Sequence, residues 1–163
     1  MKNLTIAFFA FFMILSLAHA DWEATTGITH FESDGCSKWP EGTAENPWLW
    51  RDCCFTHDLH YWMGGTSQQR LDADVELKQC VESRGQDFQA IVIYMGVRVG
   101  GTPNTDASFR WGFGWPEGRP YEELTEGELR EAAQVLRQSK FSDRDRGLVE
   151  QFIKDSGLEA YFQ

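Results

Sequence analysis

Residues 53–61 read Cys53-Cys54-Phe55-Thr56-His57-Asp58-Leu59-His60-Tyr61 and form the most informative segment of the sequence. On a helix, Cys53, His57 and Tyr61 recur every four residues and therefore share one face. Asp58 follows His57 and lies about 100° further around the helix, so its carboxylate and the imidazole can face a common cavity. The pattern predicts a site in which the imidazole and the carboxylate have separate roles.

The first twenty residues have the form of an export signal. Lys2 precedes an apolar run at residues 6–17, and Ala18-His19-Ala20 has the small-x-small pattern of a cleavage site. We therefore expect a secreted or periplasmic protein whose mature chain begins at Asp21. An uncleaved membrane anchor is the alternative, although the apolar run is short for a span of about 20 residues.

Export implies an oxidising compartment, in which the four cysteines are expected to pair. Three connectivities are possible, and the adjacent Cys53 and Cys54 are poorly placed to bond each other. The competing interpretation is a zinc site in which His57 and His60 join the cysteines. The vicinal cysteines lack the C-x-x-C spacing that tetrahedral zinc sites usually have.

Length and charge limit the class of protein. About 143 residues remain after the leader is removed, enough for a single domain over residues 21–163. The formal charge of −10 becomes −11 when Lys2 is lost with the leader. Such a charge argues against nucleic acid and against strongly anionic lipid surfaces as partners, and it leaves zwitterionic surfaces open.

The hydrophobic pattern predicts a mainly α-helical fold with irregular loops. Residues 21–50 have recurrent Gly and Pro and no sustained apolar period, which is typical of a loop. Helices are predicted at 48–63, from 66 or 67 to about 82, at 86–99, at 125–138 and from 142 or 143 to about 155. The first two should form an antiparallel pair, and the last two form a C-terminal helical extension from about residue 120. For residues 86–99 a strand is the alternative.

Tryptophans are frequent, and we expect most of them in the core. The segment Trp111-Gly112-Phe113-Gly114-Trp115-Pro116 can close the core or form a lid, and the core is favoured. Four further tryptophans can form a lipid-contacting rim or pack in the core, and the core is again favoured. These four are Trp39, Trp48, Trp50 and Trp62.

The two predicted N-terminal helices can be aligned through their cysteines. If Cys53 bonds to Cys80, antiparallel packing brings His57 opposite residues 74–76. This segment offers two carboxylates, those of Asp74 and Glu76.

Helical projection separates these two carboxylates. Asp74 lies about 60° from the apolar centre of its helix at Leu77, whereas Glu76 lies about 100° away. A carboxylate on an apolar face needs partners, because an unpaired buried charge is strongly destabilising. We therefore expect Asp74 to bond to His57 and to the hydroxyl of Tyr61.

These residues resemble the secreted phospholipase A2 family, whose helix motif C-C-x-x-H-D-x-x-Y is present at residues 53–61. Family members carry a catalytic aspartate six residues before a cysteine, which is the interval from Asp74 to Cys80 here. The resemblance covers about residues 33–82 and looks like a shortened bacterial-type version. It implies a disulfide-linked helix pair of phospholipase A2 type, with the disulfides Cys53–Cys80 and Cys36–Cys54.

The activity that the resemblance implies is calcium-dependent hydrolysis of the sn-2 ester of glycerophospholipids at a membrane or micelle surface. His57 would take a proton from water as the general base, and Asp74 would hold its other ring nitrogen. Tyr61 would orient Asp74. The resemblance thus implies the catalytic residues His57, Asp74 and Tyr61.

The resemblance also implies a Ca²⁺ site, in which Asp58 supplies a carboxylate and three backbone carbonyls complete the ligands. Alignment on Cys36 assigns these carbonyls to Gly35, Ser37 and Trp39. The loop departs from the family in being less glycine-rich. Position 60, which is often cysteine in the family, is His60 here and is expected at the surface.

Two other classes of function fit the same residues. The chain can be a catalytically silent lipid- or protein-binding module on this disulfide-stapled scaffold. It can also be an exported interaction protein in which the vicinal cysteines are purely structural. Calcium titration separates them, because an enzyme of this kind gains thermal stability with calcium and the last class does not.

Overall fold

A computed structural model of the protein describes residues 27–162, and the predicted export signal and its cleavage site lie outside this range. The described chain is mainly helical, and residues 27–162 contain no strand. Its elements are α1 (Arg51–Met63), α2 (Ser67–Glu82), α3 (Asp87–Gly100), α4 (Glu126–Gln138), α5 (Asp143–Asp155) and a 3₁₀ turn (Leu158–Tyr161). Within the described range no helix is long and apolar enough to span a bilayer.

Capping residues set most helix starts where the sequence predicts them. Capping boxes begin α2, with Thr66 and Gln69, and α4, with Thr125 and Glu128. Helix α1 begins three residues later than the predicted residue 48. The reason is a tight turn before it, in which the backbone N–H of Leu49 donates to Asn46 and that of Trp50 donates to Glu41.

Two disulfides connect α1 to its neighbours. Cys53 is bonded to Cys80 of α2 and Cys36 to Cys54, which are the pairs that the resemblance implies. Among the described residues no cysteine is free, so the zinc interpretation is wrong. The contacts Cys53–Cys80 at one end and Tyr61–Arg70 at the other show that α1 and α2 run antiparallel.

The C-terminal helices contribute side chains to the main core. Helix α5 packs against α1, α4 packs against the 3₁₀ turn, and an ion pair between Arg51 and Asp145, with N–O distances of 2.5 and 3.3 Å, links α1 to α5. A second cluster lies between α1, α2 and α3. The main core includes Phe55, Leu59, Trp62, Trp115, Ala132, Leu136, Val149 and Phe152.

The tryptophans divide into two groups. Trp111 and Trp115 are buried, and their indole N–H groups donate to the carbonyls of Gly65 and Met63, which confirms the core interpretation for this segment. Trp50 and Trp62 are also buried. The core expectation is wrong for Trp39 and Trp48, which are 38% and 55% exposed because they lie in the irregular segment before α1.

Candidate functional site

The site begins with a hydrogen bond between α1 and α2. His57 Nε2 lies 2.8 Å from Asp74 Oδ1, and the Tyr61 hydroxyl donates to the same oxygen at 2.8 Å. His57 and Tyr61 are one turn apart on α1, and their ring centroids are separated by 4.2 Å. His57, Asp74 and Tyr61, which the sequence predicts to be close together, therefore form one hydrogen-bonded group.

Asp74 is fully buried and yet charged. Burial by itself raises the pKa of this carboxyl, but hydrogen bonds from His57, Arg98 and Tyr61 outweigh it and hold the pKa below its usual range. The anion accepts a hydrogen bond from His57 Nε2–H, and Nδ1 is then the ring nitrogen that remains available as an acceptor. Burial and the nearby Asp74 charge raise the pKa of Tyr61, so its hydroxyl remains a donor.

Two arginines complete this group, and neither is among the site residues predicted from the sequence. Arg98 Nη1 donates to Asp74 Oδ2 at 2.5 Å, and Arg70 Nε donates to the Tyr61 hydroxyl at 3.0 Å. Arg70 precedes Asp74 by four residues, a spacing that brings side chains together on a helix and was a usable signal. Arg98 carries no such signal, because only the packing of α3 on α2 brings it to Asp74.

An apolar cavity of about 230 Å³ lies beside the histidine. His57 and Asp58 form part of its wall, and so do residues 35–39 of the loop before α1. Helix α3 contributes the opposite wall. Among the described residues His57 Nδ1 has no hydrogen-bond partner, so this nitrogen is free to bind a water in the cavity. The α3 wall consists of Val92, Ile93, Gly96, Val97 and Gly100.

Asp58 is a buried carboxyl without a countercharge. It accepts a hydrogen bond from Ser33 Oγ at 2.6 Å, and within residues 27–162 it forms no ion pair with Lys or Arg. Burial raises its pKa to about 8, and the neighbouring Asp34 and Glu41 carboxylates add to the effect, whereas the Ser33 bond and Arg51 oppose it. A bound cation would supply the charge that this environment lacks.

The loop residues assigned to calcium lie around the same cavity as Asp58. Gly35, Ser37 and Trp39 all line it, and Gly35 and Ser37 have positive φ angles of 74° and 54°. The Ser37 hydroxyl donates to Asp34 at 2.8 Å, which stabilises this unusual serine conformation. In the described part of the chain no three side chains of His, Cys, Asp or Glu are grouped to hold a metal ion. The implied donor set is instead one carboxylate and three backbone carbonyls.

His60 differs from its expected surface position. Its ring packs edge-on against Phe152 of α5 at 4.9 Å between centroids, and Nε2 lies 3.6 Å from Glu76. Burial and the neighbouring His57 lower its pKa to about 4. The expectation was wrong because α5 covers this side of α1, which the local sequence around His60 does not reveal.

Searches of protein-family models, of curated proteins and of solved structures return no match for this chain. Support for a function therefore comes from its own side chains. The relevant arrangement is a buried His–Asp–Tyr group beside an apolar cavity that also contains a buried, uncompensated carboxyl.

Proposed function

We propose that this protein is a calcium-dependent, phospholipase A2-like enzyme that hydrolyses the sn-2 ester of glycerophospholipids. The observation that carries the proposal is the 2.8 Å contact between His57 Nε2 and Asp74 Oδ1, with the other face of the imidazole in an apolar cavity. The motif at residues 53–61 and the two disulfides support the same assignment, including a helix pair of phospholipase A2 type.

The reaction needs no covalent intermediate on the protein. His57 Nδ1 takes a proton from a water molecule as the water oxygen attacks the ester carbonyl carbon. Asp74 holds the ring through Nε2–H and stabilises the imidazolium that forms. His57 then returns the proton to the leaving alkoxide as the ester bond breaks. The products are a free fatty acid and a lysophospholipid, and the histidine is restored.

Asp58 and the carbonyls of Gly35, Ser37 and Trp39 would hold the calcium ion. Bound calcium supplies positive charge for the substrate phosphate and for the oxyanion that develops on the ester. The residues present fit this role, since the Asp58 carboxyl is buried with a pKa of about 8 and no countercharge among the described residues. Because Asp58 is next to His57, the calcium ligand and the general base line the same cavity.

The exposed face of α3 supports a lipid surface as the partner. Phe88, Ile91, Met95 and Val99 are 71%, 47%, 61% and 80% exposed. At about 100° per residue they fall within an arc of about 80°, next to Val92 and Gly96 of the cavity wall. An apolar helix face at the cavity mouth suits insertion into a membrane or micelle interface. The net charge of −10 favours a zwitterionic surface over an anionic one.

The test is fatty-acid release from phosphatidylcholine vesicles labelled separately at the sn-1 and sn-2 chains. We expect release of the sn-2 label with calcium and none with a chelator. Vesicle binding without any ester release would overturn the proposal in favour of a silent lipid-binding module. The absence of both binding and release would favour an interaction protein.

A further inference from the structure

We infer that Arg98 of α3 is a positioning residue for the proposed hydrolysis: its guanidinium fixes the oxygen of Asp74 that His57 leaves free. This inference rests on the proposed function, since it concerns the same dyad. It adds a third helix to a site whose other members come from α1 and α2.

The two oxygens of the Asp74 carboxylate accept hydrogen bonds from different donors. Oδ1 accepts from His57 and from Tyr61, both at 2.8 Å. Oδ2 accepts from Arg98 Nη1 at 2.5 Å, whereas Arg70 Nε is 3.8 Å away. Without Arg98 the carboxylate has close donors on one oxygen alone, and its plane is free to rotate. Such a rotation moves Oδ1 and therefore the imidazole that it holds.

Charge compensation gives Arg98 a second effect on the same group. Asp74 has no solvent exposure, and two arginines lie near its Oδ2, Arg98 at 2.5 Å and Arg70 at 3.8 Å. Burying an anion without a countercharge is strongly unfavourable. Arg98 is the nearer of the two countercharges and the one hydrogen-bonded to the carboxylate, and its side chain is 31% exposed. The pair keeps Asp74 anionic at the position where it orients the histidine.

The end of α3 is held in place for this contact. Arg70 Nη2 donates to the carbonyls of Val97 and Arg98 at 2.8 and 2.9 Å, and the Val97 carbonyl also accepts from the backbone N–H of Gly101 at 2.9 Å. Gly101 follows directly and lies so close to Tyr61 that an added Cβ would be 2.5 Å from the phenol ring. The backbone that carries Arg98 is thus held next to Tyr61 and Arg70 of the site.

Steady-state kinetics of Arg98 variants provide the first test. We expect Arg98→Gln to lower kcat about tenfold with KM changed less than about twofold, because the contact acts on the dyad and not on substrate binding. Arg98→Lys keeps the charge and should retain kcat within about threefold of wild type. The matched control is Arg84→Gln, which removes another arginine that bonds an acidic residue of α1, Asp52, but at the surface. It should stay within about twofold of wild type.

A double-mutant cycle tests whether Arg98 works through Asp74. If it does, Arg98→Gln combined with Asp74→Asn should be no slower than Asp74→Asn alone, within about twofold. Effects on kcat that multiply would overturn the inference, since Arg98 would then act by another route.

A readout that does not require hydrolysis separates this inference from the proposed function. The His57 Nε2–H proton should give a protected signal in NMR spectra of the wild type and should exchange faster in Arg98→Gln but not in Arg84→Gln. If wild type releases no fatty acid but this difference is seen, the proposed function fails and the positioning contact stands. If wild type hydrolyses lipid while Arg98→Gln changes neither kcat nor the proton signal, the positioning role is wrong.

Discussion

His57 and Asp74, seventeen residues apart in the chain, meet at 2.8 Å across the interface of α1 and α2. The disulfide between Cys53 and Cys80 crosses the same interface. Cys53 is one helical turn before His57, and Cys80 is six residues after Asp74. A covalent bond therefore fixes the register in which the base and its carboxylate face each other.

The first prediction concerns this bond. Replacing Cys53 and Cys80 together by Ser should lower the free energy of unfolding by about 2 to 5 kcal/mol, because the unfolded chain regains the freedom that the cross-link removes. Ester hydrolysis should fall in the same variant as the helix register loosens. Urea unfolding and vesicle hydrolysis measure the two effects. Unchanged activity after a measured loss of stability would show that the disulfide does not support the site.

The second prediction concerns calcium and Asp58. Calcium should raise the melting temperature of the wild type by mass action, and Asp58→Asn should abolish the rise while keeping the fold. An amide keeps the size of the side chain but removes the charge that attracts the ion. Asp52→Asn on the same helix is the matched control and should keep the rise. An equal rise in Asp58→Asn would show that Asp58 does not bind calcium.

The third prediction concerns pH without calcium. Burial raises the folded-state pKa of Asp58 to about 8, whereas an aspartate in the unfolded chain titrates near 4. Between these values the folded state holds a proton that the unfolded state has lost. The contribution of Asp58 to stability is therefore complete below about pH 4 and is lost as the pH rises to about 8.

Urea unfolding in chelator, at pH 5 and at pH 8, measures this effect. The wild type should lose more stability between the two pH values than Asp58→Asn does, since the amide does not titrate. Identical losses in both proteins would show that Asp58 is not a buried, protonated carboxyl in the calcium-free state.

The fourth prediction concerns the exposed face of α3. Replacing Phe88 and Met95 together by Ser should weaken binding to phosphatidylcholine vesicles by about tenfold or more, because each apolar side chain contributes about 1.5 to 3 kcal/mol when buried. Hydrolysis of vesicles should fall more than hydrolysis of a short-chain monomeric phospholipid. Trp48→Ser removes a comparably exposed apolar side chain from the turn before α1 and should have less effect. Unchanged vesicle binding by the variant lacking Phe88 and Met95 would exclude α3 as the docking face.

The sequence predicted those features that depend on local spacing. Capping residues and apolar periods predicted the helices, and the four-residue spacing of His57 and Tyr61, aligned with Asp74, predicted the buried group. Features that depend on packing between distant segments were not predictable in this way. Arg98 reaches Asp74 only because α3 packs on α2, and His60 is half-buried only because α5 covers it. Trp39 lies in an irregular loop, where no period indicates which side faces solvent.

Vesicle hydrolysis by wild type and His57→Gln at saturating calcium tests whether His57 is the general base. Glutamine keeps most of the volume and hydrogen bonding of histidine but cannot accept a proton near neutral pH, so kcat should fall by about a hundredfold or more. His60→Gln makes the same change one turn away on α1 and should stay within a few-fold of wild type. A His57→Gln variant that hydrolyses lipid as fast as wild type would contradict the assignment of His57 as the general base.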